Sequence, residues 1–95
     1  MSDFPTALRD ALEPVRIAFR QQHGDTLDGI QAAIEGVVQD WPKLEENQRV
    51  QCIEYAKALL LSLGEAVRLA ARRAISEALR VHGGAAAKAL LAVLA

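Results

Sequence analysis

The sequence contains few of the residues that stabilise secreted or membrane-spanning proteins. Cysteine occurs once, at Cys52, so no disulfide can form within the chain. Aromatic residues make up 4% of the sequence, and the longest uncharged apolar stretch, ALLLSLG, is far too short to span a bilayer. The N-terminal segment MSDFPTALRD lacks the basic and apolar regions of a secretory signal. These absences favour a cytoplasmic protein in a reducing compartment.

Motifs that bind metals or phosphates, or that supply a catalytic nucleophile, are also missing. No H-E-x-x-H, C-x-x-C, G-x-S-x-G or P-loop spacing occurs in the chain. The pattern places His23 and His82 at helix ends, where imidazole commonly caps the backbone. Cys52 lies at the edge of an apolar stripe and is interpreted as a small packing residue. We therefore expect no enzymatic activity, no metal site, no cofactor and no small-molecule substrate.

Alanine and leucine dominate the residues that are present. Hydrophobic residues make up 52% of the 95 residues, and both alanine and leucine are strong helix formers. A chain of this length forms at most one domain, so the composition predicts an all-α bundle of three to four helices. Arginine outnumbers lysine and alanine is abundant, which is typical of a GC-rich bacterial genome. The predicted helices are residues 5–22, 26–41, 43–82 and 85–95.

Proline and glycine set the expected ends of the first two helices. Pro14 cannot donate a backbone hydrogen bond, so a kink is expected there in the first helix. Gly24 is expected to end that helix as a left-handed C-terminal cap. Glycine inside a helix costs up to ~1 kcal/mol relative to alanine. The stripe of Gly29, Ala33 and Gly36 in the second helix therefore predicts that another helix packs closely on this side.

The third predicted helix is longer than a small domain needs. Residues 43–82 would extend about 60 Å, so this helix is expected either to protrude into a partner or to break near Gly64. Its apolar residues alternate at spacings of three and four over most of its length, which is typical of a coiled coil. The residues of this stripe are Ile53, Ala56, Leu60, Leu63, Val67, Ala70, Ala74, Ala78 and Val81. Toward its C-terminal end the stripe consists largely of alanine, which permits close packing but buries little area per residue.

The C-terminal segment, residues 85–95, is apolar on nearly all sides and carries a single charge, Lys88. We expect one chain not to cover both this segment and the long apolar stripe. The sequence therefore predicts a non-catalytic protein-interaction or oligomerisation module, most simply a homodimer, that buries an apolar helical face against its own copy or a partner helix. The residues predicted to form that face are Leu60, Leu63, Val67, Ala70, Ala74, Ala78, Leu90, Leu91 and Leu94.

Charge is divided unevenly along the chain, although the net formal charge is −1. Residues 1–47 carry four basic and nine acidic residues, whereas residues 48–95 carry seven basic and three acidic residues. The halves are expected to complement each other, within one chain or head-to-tail between two copies. An external charged partner is the alternative.

The stretch AVRLAARRAISEALRVHGG suggests nucleic-acid binding as an alternative function. Helical geometry puts Arg73 and Arg80 in one direction, and Arg68 and Arg72 in another. Neighbouring glutamates dilute this basic surface, and no aromatic residues are interleaved with it. The pattern therefore favours a solvated face over phosphate contact.

Peripheral membrane binding through the apolar C-terminal segment is a second alternative. Interfacial helices use a basic polar face and large apolar anchors such as tryptophan or phenylalanine. The segment has no aromatic residue and one lysine, so the sequence gives this alternative little support.

Overall fold

The computed structural model describes residues 3–94, and all regular structure in this range is helical. This confirms the expected all-α bundle. The long third helix is broken, as predicted, near Gly64. The elements in chain order are α1 (Phe4–Asp40), a 3-10 turn (Trp41–Lys43), α2 (Glu46–Leu61), α3 (Glu65–His82), a second 3-10 turn (Gly84–Ala86) and α4 (Ala87–Leu94).

Helix α1 is bent back on itself. A straight helix of its 37 residues would be about 55 Å long, whereas the longest dimension of the molecule is 36 Å. Phe19 has non-helical dihedral angles (φ −123°, ψ 20°) and divides α1 into a first arm, residues 4–18, and a second arm, residues 20–40. The arms lie side by side, because Arg16 Nε of the first donates to Asp28 Oδ1 of the second at 3.0 Å.

The expected positions of this reversal are wrong. Gly24 remains inside the helix, and it is Gly84 that carries a positive φ among the glycines of residues 3–94. Pro14 also keeps helical dihedral angles, and the break follows five residues later at Phe19. The half-buried ring of Phe19 packs against the core. We attribute the position of the bend to this tertiary contact, which outweighs the local preferences of proline and glycine.

The core is built from one side of each helix, and α3 packs chiefly against α1. Along α3 the fully buried positions recur every four residues, at Val67, Ala71, Ile75 and Leu79. The predicted stripe is therefore shifted by about one residue: Ala70 and Ala74 lie at the edge of the buried face. Val81, also assigned to the stripe, is 65% exposed. Ile75 and Leu79 occupy the centre of the buried face together with Ala71 and Ala78, while Ala70 and Ala74 lie at its flank.

Helix α4 packs on α3 and α2 of the same chain. Leu90 and Leu94 are buried in the common core, and Leu91 is partly buried. The turn before α4 is tight, because a Cβ added to Gly83 would lie 2.6 Å from the carbonyl oxygen of Leu79. Gly84 completes the turn with φ +60°. The expectation that one chain would not cover both this segment and the apolar stripe of the third predicted helix is therefore wrong.

Arg49 fixes the joint between α1 and α2. Its guanidinium donates two hydrogen bonds to the carbonyl oxygen of Trp41, at 3.2 and 2.7 Å, and lies 4.3 Å from the centre of the indole ring. Glu45 and Gln48 form a capping box that satisfies backbone donors at the start of α2. These contacts set the position of α2 beside the second arm of α1.

Candidate functional site

Helix α2 has apolar residues on more sides than the bundle can cover. Leu59, Leu60 and Leu61 are consecutive, so their directions differ by about 100° and they cannot all face one core. Leu60 is buried and Leu59 is half-buried, whereas Leu61 is 57% exposed. Val50 lies eleven residues before Leu61, points in nearly the same direction, and is 54% exposed. The outer side of α2 thus carries two large apolar residues in contact with water.

An apolar groove of about 340 Å³ separates α2 from the second arm of α1, and neither Val50 nor Leu61 lines it. Tyr55, which is 60% exposed, belongs to its lining. We refer to the groove together with Val50, Tyr55 and Leu61 as the α2 surface. The groove is lined by Ala32, Ala33, Gly36, Val37, Asp40, Leu44, Gln51, Cys52 and Tyr55.

Small residues on α1 leave space in the groove. A Cβ added to Gly36 would meet no heavy atom within 4 Å, whereas one added to Gly29 would lie 3.8 Å from Leu59 Cδ1. The close helix approach predicted from the glycine stripe is therefore ordinary van der Waals contact at Gly29, and among residues 3–94 no other helix comes within 4 Å of a Cβ at Gly36. Packing inside the chain does not explain why a helix-destabilising glycine is present at position 36.

Most residues predicted to bind a partner lie inside the chain's own core. Six of them are buried: Leu60, Leu63, Val67, Ala78, Leu90 and Leu94. The other three are partly buried: Ala70, Ala74 and Leu91. Such side chains cannot bind a second molecule while the bundle stays folded. The large apolar residues that do remain exposed are Ile17, Val50, Tyr55, Leu61, Leu69 and Val81.

Sequence reasoning missed Val50, Tyr55 and Leu61 because it treated residues 43–82 as one helix with one apolar stripe. A signal was available in the run of three consecutive leucines at residues 59–61, since a single stripe cannot hold all three. That signal indicates excess apolar surface on α2. It does not indicate which of the leucines faces outward.

Three of the four candidate arginines converge on one surface. Arg72, Arg73 and Arg80 line a shallow depression of about 380 Å³, together with Glu77. Arg80 Nη1 lies 3.8 Å from Glu77 Oε2, and both side chains are well exposed. Arg68 is half-buried and does not line the depression. The arginines are thus more concentrated than helical geometry indicated, but a carboxylate lies among them.

The histidines and the cysteine do not assemble into a reactive cluster. Within residues 3–94, no group of three or more His, Cys, Asp or Glu side chains is arranged to hold a metal ion. His23 lies inside α1, not at a helix end as expected, and its Nε2 is 3.8 Å from the position of a Cβ on Gly64. His82 is the last residue of α3. Cys52 is a half-buried free thiol in the groove.

The fold also places the segment considered for membrane binding. Leu90 and Leu94 of α4 face the core, while Lys88 and Ala92 are exposed. Leu91 and Val93 are half-buried, and no large apolar side chain of residues 87–94 is fully exposed. In the part of the chain that the structure describes, no helix has the length and hydropathy needed to cross a membrane.

Comparison of the chain with protein-family models, with curated proteins and with solved structures found no match. A proposal for the function therefore depends on the surfaces of the folded chain. Two surfaces within residues 3–94 offer a basis: the α2 surface and the arginine depression on α3.

Proposed function

We propose that the chain is a non-catalytic helical interaction module, which binds a helix of its own copy or of a partner on the α2 surface. The supporting observation is that Val50, Tyr55 and Leu61 are each more than half exposed on one helix, and that Tyr55 lines an open apolar groove. Isolated exposed apolar residues are ordinary in proteins. Three of them on one helix, with a groove at one of them, favour an interaction site. Burying a leucine side chain completely contributes about 1.5–3 kcal/mol.

The mechanism is insertion of a helix into a preformed groove. Gly36 and the neighbouring alanines let a second backbone approach closely, and Tyr55 can pack its ring while its hydroxyl remains hydrated. The contact between Arg49 and Trp41 holds α2 in place before binding, which lowers the entropic cost of association. We place this module in the cytoplasm, where the thiol of Cys52 stays reduced.

A photo-reactive residue at position 55 tests this proposal in the cells that express the protein. Replacing Tyr55 by p-benzoylphenylalanine keeps an aromatic ring at the groove, and irradiation is expected to yield a discrete adduct of higher mass. The matched control places the same residue at Arg9, which is exposed on the first arm of α1. Absence of an adduct at position 55, or equal labelling at both positions, would contradict the proposal.

Polyanion binding at the arginine depression is a second candidate function. The convergence of Arg72, Arg73 and Arg80 favours it, whereas Glu77 and the net charge of −1 weaken the local field. This function predicts retardation of duplex DNA or RNA that falls steeply with salt. A gel-shift experiment without retardation at about 50 mM salt excludes it.

A further inference from the structure

Opposite charges occupy different helices of the bundle. The second arm of α1, residues 20–40, carries four carboxylates and one arginine, Arg20. In α3, four arginines stand against two glutamates. The imbalance in the sequence is thus an imbalance between two helices of the folded molecule.

These charges are not paired with each other inside the chain. Among residues 3–94, the ion pairs between arginine or lysine and a carboxylate are Arg16–Glu13, Arg16–Asp28 and Arg80–Glu77. None of them joins the acidic half to the basic half. The expectation that the halves complement each other within one chain therefore finds no support in direct contacts.

Each charged surface also has an apolar component. Asp40 lines the apolar groove beside α2. On α3, Leu69 is 40% exposed and lies on the same side of the helix as Arg73 and Arg80. The two surfaces therefore match in character, with apolar area and opposite charge.

From this match we infer that the occupant of the groove is a second copy of the chain, docked through the arginine-bearing side of its α3. The inference rests on the proposed function and adds the partner and the orientation. Exposed ion pairs contribute little affinity, so the apolar contacts supply the affinity and the charges set the orientation. A standard interface covers ~800 Å² per partner, which is about one seventh of the 5836 Å² surface of the monomer.

Charge reversal on either surface tests the orientation. Asp40→Lys puts a positive charge in the groove, and Arg73→Glu puts a negative charge on α3. Each change alone brings like charges together and is expected to weaken self-association about tenfold at low salt. Mixing the two variants is expected to restore association. The lysine introduced in the groove of one copy then meets the glutamate introduced on α3 of the other, while the unchanged Arg73 meets the unchanged Asp40. Sedimentation velocity of each variant and of the mixture measures this.

Two control variants change the net charge by the same amounts at positions outside the two proposed surfaces. Asp10→Lys and Arg9→Glu lie on exposed positions of the first arm of α1 and are expected to leave association unchanged. Thermal unfolding verifies that all variants are folded. Alkylation of Cys52 by iodoacetamide gives an independent readout, because a docked copy covers the groove. Its rate is expected to fall as the concentration of the wild-type chain rises, and to stay constant in either single reversal variant.

Three outcomes overturn the inference: a wild-type chain that stays monomeric, reversal variants that associate like the wild type, or a mixture that does not recover. The crosslinking experiment separates these failures from failure of the proposed function. An adduct at position 55 with a different protein supports the proposed function but overturns the choice of a second copy.

Discussion

Helices α2 and α3 are neighbours of similar length, 16 and 18 residues, but they distribute their apolar side chains differently. In α3, Val67, Ala71 and Ile75 follow one face and are each at most 3% exposed. In α2, the large apolar residues surround the axis, and within the helix only Ala56 and Leu60 are fully buried. The comparison shows that α3 is buried along one continuous face, whereas α2 keeps large apolar side chains exposed, which supports the proposal that α2 carries a binding surface.

This difference has a thermodynamic consequence. A helix with a single apolar face can bury that face against one neighbouring layer. A helix with apolar residues all round must be buried or bound on every side. The bundle covers α2 on only part of its circumference. The contribution of α2 to stability is therefore expected to be smaller than that of α3 until its outer side is covered.

Truncation of matched residues on the two helices is the strongest test of this difference. Ile75→Ala leaves a cavity at a fully buried position, so we expect it to lower the free energy of unfolding by about 2–5 kcal/mol. Leu61→Ala removes an exposed side chain and is expected to change that free energy by less than about 0.5 kcal/mol. Urea denaturation at a concentration where the chain is monomeric measures both. Equal losses in the free energy of unfolding would mean that the outer side of α2 contributes as much to folding as the buried face of α3.

The turn between α3 and α4 gives the next largest expected effect. A Cβ on Gly83 would lie 2.6 Å from a carbonyl oxygen and 2.8 Å from Ala87 Cβ, so Gly83→Ala should destabilise the bundle by about 1–3 kcal/mol. Gly24→Ala is the matched control, because its Cβ would meet nothing within 4 Å. We expect the control to raise the melting temperature. A Gly83 variant as stable as the wild type would show that α4 is loosely held.

Removal of the Arg49 contact tests how α2 is held against α1. Arg49→Met eliminates both hydrogen bonds to the carbonyl of Trp41 and is expected to cost about 1–2 kcal/mol. Arg49→Lys should recover only part of this loss, because an ammonium lacks the planar fork of donors. Trp41 is the single tryptophan, so its fluorescence reports the local change directly. An unchanged emission spectrum together with unchanged stability would argue against a fixed α2.

The change in stability expected at Gly36 is smaller than those at Gly83 and Arg49, and it distinguishes folding from binding. Gly36→Ala should stabilise the monomer by up to ~1 kcal/mol, because alanine favours helix and its Cβ meets nothing in the chain. The same methyl group fills the floor of the groove and is expected to weaken self-association. Gly24→Ala should give a similar gain in stability without the loss of association. If the Gly36 variant associates as strongly as the wild type, the groove is not part of the interface.

The helical class and the break near Gly64 could be predicted because both depend on local preferences. The bend of α1 could not, since the packing of Phe19 in the core outweighs the local signals at Pro14 and Gly24. The sequence also left open which residues of α3 face the core. Alanines fit spacings of three or four equally well, and the choice depends on how Ile75 and Leu79 fill the space beside α1.

The candidate site was harder to predict than the fold. The sequence shows that Leu59, Leu60 and Leu61 cannot all be buried, but the side that remains exposed depends on how α2 docks. The contact between Arg49 and Trp41 fixes that docking, and no sequence motif predicts this contact. Composition alone also could not show that α4 is covered by its own chain.

Sedimentation equilibrium of the wild-type chain beside a Val50→Glu/Leu61→Glu variant tests the central claim most directly. The claim is that the bundle folds alone and keeps the outer side of α2 for association. The wild-type mass is predicted to rise above 10.3 kDa across the micromolar range, while the variant stays at that mass and unfolds at an unchanged temperature. A wild-type chain that remains at 10.3 kDa throughout, or a variant that associates equally well, would contradict the claim.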